Sequence, residues 1–262
     1  MNLPEIVTRE EWLAARTALL VKEKELTRAR DALAADRRRL PMVLVDKEYT
    51  FEGPRGRVGL LDLFDGRPQL IVDHAMWPFE VAADGTETPL EHGCPSCAAR
   101  LDAIGDLTHL RARGTNLVVV SRAPLAKIEP FKRRMGWTFP WYSSAGSDFN
   151  YDFAATVDDR VAPVLLNYRT AAEVDWSPAR RGDYPGLSVF LRNGKEIFHT
   201  YATFARGMEQ IGGTHYYLDL TALGRQEDWE EPRGRATGFG AKAGSQGVRF
   251  HDEYEDQGTI PE

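Results

Sequence analysis

The sequence predicts an α/β fold, a mixed central β-sheet flanked by helices, and three observations carry that prediction. Residues 69–73 (QLIVD) and 116–121 (NLVVVS) are short apolar runs suited to buried strands. A helical segment lies between them and a second, IEPFKRRM, follows, which is the order of strand–helix–strand units. Residues 187–191 (LSVFL) and 195–201 then flank Asn193-Gly194, a dipeptide that supplies the positive φ angles of a tight hairpin turn.

The elements follow in order. Thr8-Arg9-Glu10-Glu11 reads as a capping box, in which hydroxyl and carboxylate satisfy free N–H groups at a helix start. The helix predicted from it carries Trp12, Ala15, Leu19, Leu26, Ala29 and Leu33 on one stripe, with Lys22 interrupting, and ends before Leu40-Pro41. A helix laid on its own domain is the preferred reading and a dimer contact the alternative. Residues 42–45 and 49–52 predict a hairpin around Asp46-Lys47, followed by the turn EGPRGR. After strand 69–73, a polar stretch from Pro78 to Gly93 leads to Cys94. A helix is predicted from there to about Arg113, with Leu101, Ile104, Leu107 and Leu110 as its buried stripe. The helix opening near Pro124 stops at Gly136, and residues 137–141 read as extended. Residues 143–183 are turn-rich and read as an insertion, the hairpin follows, and a last helix is predicted near 214–223. The glycine-rich stretch after Pro232 predicts a flexible tail, although FHDEY near its end offers a segment that docks back. The resulting division is an N-terminal helical extension 1–40, a domain 41–224 with an insertion around 143–183, and a C-terminal tail 225–262.

A chain of 262 residues with 42% hydrophobic and 27% charged residues is ordinary for a globular protein. The formal net charge of −6 argues against a nucleic-acid partner, and no basic face is visible. MNLPEIVTREEW lacks the features of a secretion signal, and no apolar run approaches a bilayer's span, so a cytoplasmic protein with no membrane partner is expected. Thiols are kept reduced in that compartment. The only two cysteines, Cys94 and Cys97 in EHGCPSCAA, are then a redox pair, part of a metal site, or a structural pair. A zinc site would need further ligands from residues such as His92, His74 or His199, and no second close-spaced ligand pair exists, so no metal and no cofactor is expected.

If a helix starts at Pro95, Cys94 is its N-cap and proline occupies the first position, where a missing N–H costs nothing. The helix dipole favours a thiolate there, so Cys94 is the candidate nucleophile, and Cys97, one turn on, is the candidate resolving thiol. His92 is a candidate proton shuttle or a solvated loop residue. Trp77, after the first central strand beside His74, is a candidate cover for the site or a core aromatic. Asp148 and Asp152 in GSDFNYDF are candidates for binding a cation, with an aromatic-anchored loop as the preferred reading. His199, Tyr201 and Arg206 are placed at the same end of the sheet as the cysteines.

Three stretches together resemble the thioredoxin and peroxiredoxin superfamily, and within it an uncharacterised bacterial branch carrying a domain-of-unknown-function label. YTFEGPRGRVGLLDLFDGRPQLIV is similar to the opening of peroxiredoxins, and NLVVVSRAPLAKIEPFKRRMGWTFPWYSS to the segment after their active-site helix. DYPGLSVFLRNGKEIF resembles the thioredoxin stretch in which a cis-proline precedes an antiparallel hairpin. The resemblance implies a thioredoxin-like fold, makes Pro185 the cis-proline, and places Pro185 against Cys94 to present backbone groups to a substrate. It also shows a departure. Peroxiredoxins place Pro and Thr or Ser upstream of the reactive cysteine, where this chain has Glu87 and Glu91, and a carboxylate at Glu91 opposes a nearby thiolate.

The function expected is thiol–disulfide exchange, Cys94 attacking and Cys97 resolving, with Pro185, Trp77 and His92 at the substrate. The partner expected is a thiol or disulfide, in a protein or a small molecule, and a homodimer is possible. The alternatives are a thiol peroxidase and a non-catalytic binding module of the same fold.

Overall fold

In a computed structural model the chain is described over residues 4–82, 84–112, 114–211, 250 and 252–253. Eight strands form one sheet: β1 (Val43–Leu44), β2 (Thr50–Gly53), β3 (Gly56–Gly59), β4 (Gln69–His74), β5 (Thr115–Ser121), β6 (Trp141–Ser143), β7 (Gly186–Asn193) and β8 (Glu196–Phe204). Their order is β1-β8-β7-β4-β5-β6-β2-β3. β4, β5 and β6 run parallel, and every other pairing is antiparallel. The helices are α1 (Arg9–Arg37), α2 (Pro95–Leu101), α3 (Thr108–Arg111), α4 (Leu125–Arg134) and α5 (Phe149–Asp152). Three parallel strands joined by helical crossovers, followed by an antiparallel hairpin on the far side of β4, make this a thioredoxin-like fold, as the resemblance implies.

Strand alternation divides the interior in two. Ala75, Leu117, Val119 and Trp141 face α2 and α4, where Cys97, Ala98, Leu101, Ile128 and Phe131 complete one cluster. Leu70, Val72, Val118, Val120 and Phe190 face the other way, onto Tyr49, Phe51, Leu63, Phe64 and Phe149. The two faces are called here the cysteine face and the aromatic face.

Several expectations hold in detail. Thr8 and Glu11 form the reciprocal capping box of α1, Gly136 (φ +65°) ends the turn after α4, and Gly194 (φ +60°) turns the β7–β8 hairpin.

Others are corrected. Residues 42–45 and 49–52 do not pair: β1 adds to β8 at one edge of the sheet, while β2 pairs with β3 and β6 near the other. The turn-forming chemistry was in Gly53-Pro54-Arg55-Gly56, two residues between glycines, so it closes β2 onto β3. The helix expected from Cys94 to about Arg113 ends at Leu101 and restarts at Thr108, across a break at Gly105 where the Asp106 carboxylate accepts the Thr108 N–H. α1 has no buried residue; near its last turn Ala34 and Ala35 are half-buried and Arg37 lies over Tyr201. The apolar stripe expected to be laid on its own domain is thus about half exposed. Residues 143–183 do hold short turns and two-residue strands, but Ser143 itself belongs to β6.

The helix expected near 214–223 lies outside the described residues, as does most of the tail. Phe250, Asp252 and Glu253 do dock back: Phe250 is buried on the cysteine face, and Arg134 pairs with both carboxylates.

Candidate active site around Cys94 and Cys97

Both cysteines stand where a parallel strand gives way to a helix on the cysteine face. β4 ends at His74, and Met76 returns to the site by accepting the backbone N–H of Cys94 at 3.3 Å. Cys94 is the N-cap of α2, in extended conformation, with Pro95 at the first helical position. Gly93 lets this loop close, because a Cβ there would lie 3.0 Å from the Phe131 ring and 3.5 Å from that of Trp77. Neither thiol is in a disulfide; Cys94 is half-buried and Cys97 fully buried.

The two thiols are electrostatically unequal. Cys97 donates its S–H to Cys94, and the backbone N–H groups of Cys97 and Ser96 face the same sulfur. Together they outweigh burial and draw the Cys94 thiol from its ordinary value near 9 down to about 6. Cys97 moves the other way: the bond it gives to Cys94 is lost on ionisation, it is desolvated, and Cys94 and Asp183 are both negative neighbours. The two shifts run in opposite directions, so Cys94 is the first of the pair to ionise.

Two buried ion pairs surround the dithiol, and sequence reasoning missed both. Asp73, on the cysteine face of β4, pairs with Arg100, one turn of α2 beyond Cys97. Burial lowers the Arg100 guanidinium to about 10. Asp183, two residues before Pro185, accepts Arg122 Nε at 2.6 Å, the Thr156 hydroxyl at 2.7 Å and the Trp77 backbone N–H at 3.3 Å. Burial raises its carboxyl above the ordinary range despite Arg122. The only sequence signal for either was an acidic residue inside or beside an apolar strand.

The expected site residues divide as follows. Cys94 and Cys97 come together. Pro185 is half-buried at the start of β7, and the next residue, Gly186, is paired with His74, so the segment from Asp183 to Pro185 lies beside the loop that holds Cys94. Trp77 is 2% exposed; its indole N–H donates to the Leu90 carbonyl, and its ring packs edge-on against Phe131 and Trp141. It is a core residue behind the site and not a cover open to substrate. His92 is half-buried, with Nδ1 3.0 Å from the Gly93 carbonyl and its ring edge-on to Phe250.

His74 points to the aromatic face, stacked on Phe149 with Nε2 2.9 Å from the Ser188 hydroxyl, because the strand alternation turns it away from the cysteines. His199 lies on that face too, against Phe153 and Phe190, and Tyr201 lies under Arg37. Arg206 lies beyond β8 and pairs with Glu209. Asp148 and Asp152 do hold a cation: it is Lys47, at 2.8 and 2.7 Å. Glu91 is held by Lys127 and Glu87 by Arg122, so the charge expected to oppose the thiolate is met by a cation of this chain. Among the described residues no three His, Cys, Asp or Glu side chains gather as a metal site, and no helix is long and apolar enough to cross a membrane.

A family model described as "Bacterial protein of unknown function (DUF899)" matches residues 1–254, and the chain belongs to that family. No curated protein matches the sequence. Similar solved structures include peroxiredoxin Q of Xanthomonas campestris, at 13% identity over 66% of this chain and 93% of that one, with a TM-score of 0.41. The bacterioferritin comigratory protein of the same organism shares 12% identity over 66% and 94%, TM-score 0.38. Peroxidoxin BcpB of Mycobacterium tuberculosis shares 12% over 65% and 92%, TM-score 0.38.

Proposed function

We propose that this member of the family is a thiol–disulfide oxidoreductase, and the observation that carries the reading is the inequality of its two thiols. Cys94 is half-exposed with its pKa lowered to about 6, so near pH 7 it is mostly thiolate, the form that attacks a disulfide. Its sulfur bonds to one sulfur of the substrate disulfide, and the other substrate sulfur leaves as a thiolate that takes a proton. Once Cys94 is in a mixed disulfide it is no longer an anion, and the effect that holds the Cys97 proton is removed. Cys97 then loses that proton and attacks Cys94, the substrate leaves as a thiol, and a Cys94–Cys97 disulfide remains. Two electrons have passed from the dithiol to the substrate, and the reverse sequence oxidises a dithiol.

Pro185 is assigned to present its backbone to the substrate beside Cys94, and His92 to stand at the rim. Trp77 supports the Cys94 loop from within. A thiol peroxidase is the second reading, favoured by the Lys127–Glu91 pair, which offsets the carboxylate that would otherwise oppose Cys94. In that reaction Cys94 takes the terminal oxygen of a hydroperoxide to become a sulfenic acid, an alcohol leaves, and Cys97 condenses with the sulfenic acid to a disulfide and water.

The deciding experiment is trapping. Cys97→Ser should accumulate a mixed disulfide through Cys94 with a model disulfide substrate, and Cys94→Ser should form none. No adduct with disulfides but rapid oxidation of Cys94 by a hydroperoxide would replace the oxidoreductase with the peroxidase. Failure of both would leave a binding module of this fold.

A further inference from the structure

The exposed apolar surface is gathered on α1 and the edge strand it leads into. Leu13, Leu19, Leu26 and Leu33 of α1 are each about half exposed, Trp12 and Val21 similarly, and Met42, Val43 and Leu44 continue the patch onto β1. On the heptad face Trp12, Leu19, Leu26 and Leu33 expose on the order of 400 Å², and Met42, Val43 and Leu44 add on the order of 300 Å², together beyond the few hundred Å² that a monomer normally leaves in one patch. With the flanking stems of Arg and Glu, this approaches the roughly 800 Å² per partner of a stable interface.

The pattern on this helix is that of a paired helix. Trp12, Leu19, Leu26 and Leu33 recur every seven residues, and the intervening heptad positions hold Ala15, Lys22 and Ala29. Alanine at two of the three intervening positions lets a second helix come close, while large residues at every seventh position supply the knobs. The charges then choose a direction. Glu5, Glu10 and Glu11 outnumber Arg9 at the start, and Arg37, Arg38 and Arg39 outnumber Asp36 at the end. A parallel copy would stack arginine on arginine, and an antiparallel copy sets carboxylates against guanidinium groups and opposes the helix dipoles.

An antiparallel copy also meets a receptor. The start of the partner's arm would arrive at the end of α1, next to β1. There a cleft of about 280 Å³ is lined by Val43, Leu44, Val45, Leu165, Tyr168 and Phe204, among others, and Tyr168 and Val43 are themselves largely exposed. Ile6, 97% exposed and two residues before the Thr8 cap, is an apolar end of the size such a cleft takes.

We propose that α1 is a dimerisation arm: two copies of this chain pair through antiparallel α1 helices, the start of each arm seating against β1 and the adjoining cleft of the other. This is independent of the redox reading, because no residue of the arm belongs to the cysteine site.

The test is the mass of the full chain in solution at tens of micromolar, by light scattering. The wild type should be a dimer and Leu19→Glu/Leu26→Glu a monomer with unchanged alkylation of Cys94, which shows that the body is still folded. A monomeric wild type, or a double variant that stays dimeric, overturns the proposal. Direction is read in a Cys94→Ser/Cys97→Ser background carrying either Trp12→Cys or Leu33→Cys. Oxidation should cross-link the two proteins when mixed and neither alone, and cross-linking of each alone overturns the antiparallel pairing. A wild type that is monomeric in solution and sediments with vesicles of anionic phospholipid assigns the face to a membrane instead.

Discussion

One strand, β4, serves two unlike faces. Asp73 enters the cysteine face and pairs with Arg100 below the dithiol, and the next residue, His74, enters the aromatic face and stacks on Phe149. On the cysteine face, burial leaves charge in place: ion pairs at Arg100 and Arg122, and a thiolate supported by a neighbouring thiol. On the aromatic face burial removes charge, holding the His74 imidazole neutral with a pKa lowered to about 3. The same desolvation thus has opposite outcomes, decided by whether the groups within reach outweigh it: a carboxylate beside each arginine and several donors at the Cys94 sulfur do, and the hydrogen bonds of His74 do not.

Variants on each face should therefore move different observables. The largest effect belongs to the aromatic face: Phe149→Ala removes a ring in contact with Tyr49, Phe51, Phe153 and Phe190. It should cost about 3–5 kcal/mol in urea unfolding, and the alkylation midpoint of Cys94 should stay where it is. A shift of that midpoint would mean the faces are mechanically coupled.

The next effect depends on pH. His74 takes up a proton in the unfolded chain near pH 6.5 and in the folded chain only near 3, so stability falls as pH drops between those values and no further below them. The loss attributable to this one group is at most on the order of 5 kcal/mol. His74→Gln should flatten that part of the stability profile while leaving the carboxylate-dependent part. If wild type and variant lose stability in parallel from pH 7 to 4, the imidazole is not held neutral.

The smallest effect sharpens the cysteine face. The Cys97 thiol is the largest single contribution to the lowered Cys94 pKa, so Cys97→Ala should move the midpoint of the iodoacetamide rate upward from about 6 by a unit or more. A midpoint that stays near 6 would assign the thiolate to the backbone N–H groups of α2 instead.

Local features were legible in the sequence and long-range ones were not. Cys94 as N-cap, Pro95 in the first turn, the capping box and the Asn-Gly hairpin depend on neighbours within four residues, and each appears as expected. The Asp73–Arg100 and Asp183–Arg122 pairs depend on how a helix and a loop settle against a strand, which no spacing records. Periodicity identified the apolar stripe of α1 but not the body it faces, since the same stripe serves a helix on its own domain or one against a copy. The false hairpin at 42–52 shows the same limit, because alternation predicts strands and leaves their partners open.

The pairing of β4 with β7 has a kinetic consequence. His74 and Ser188, which touch across it, are 114 residues apart in sequence. The strand that leads to the cysteines keeps one open edge until the chain around Pro185 arrives, and closing so long a loop is the kind of step that slows folding. During synthesis both thiols emerge well before the segment that borders them, so the pair exists for a time on an unfinished sheet, where Cys97 has not yet gained the burial that raises its pKa.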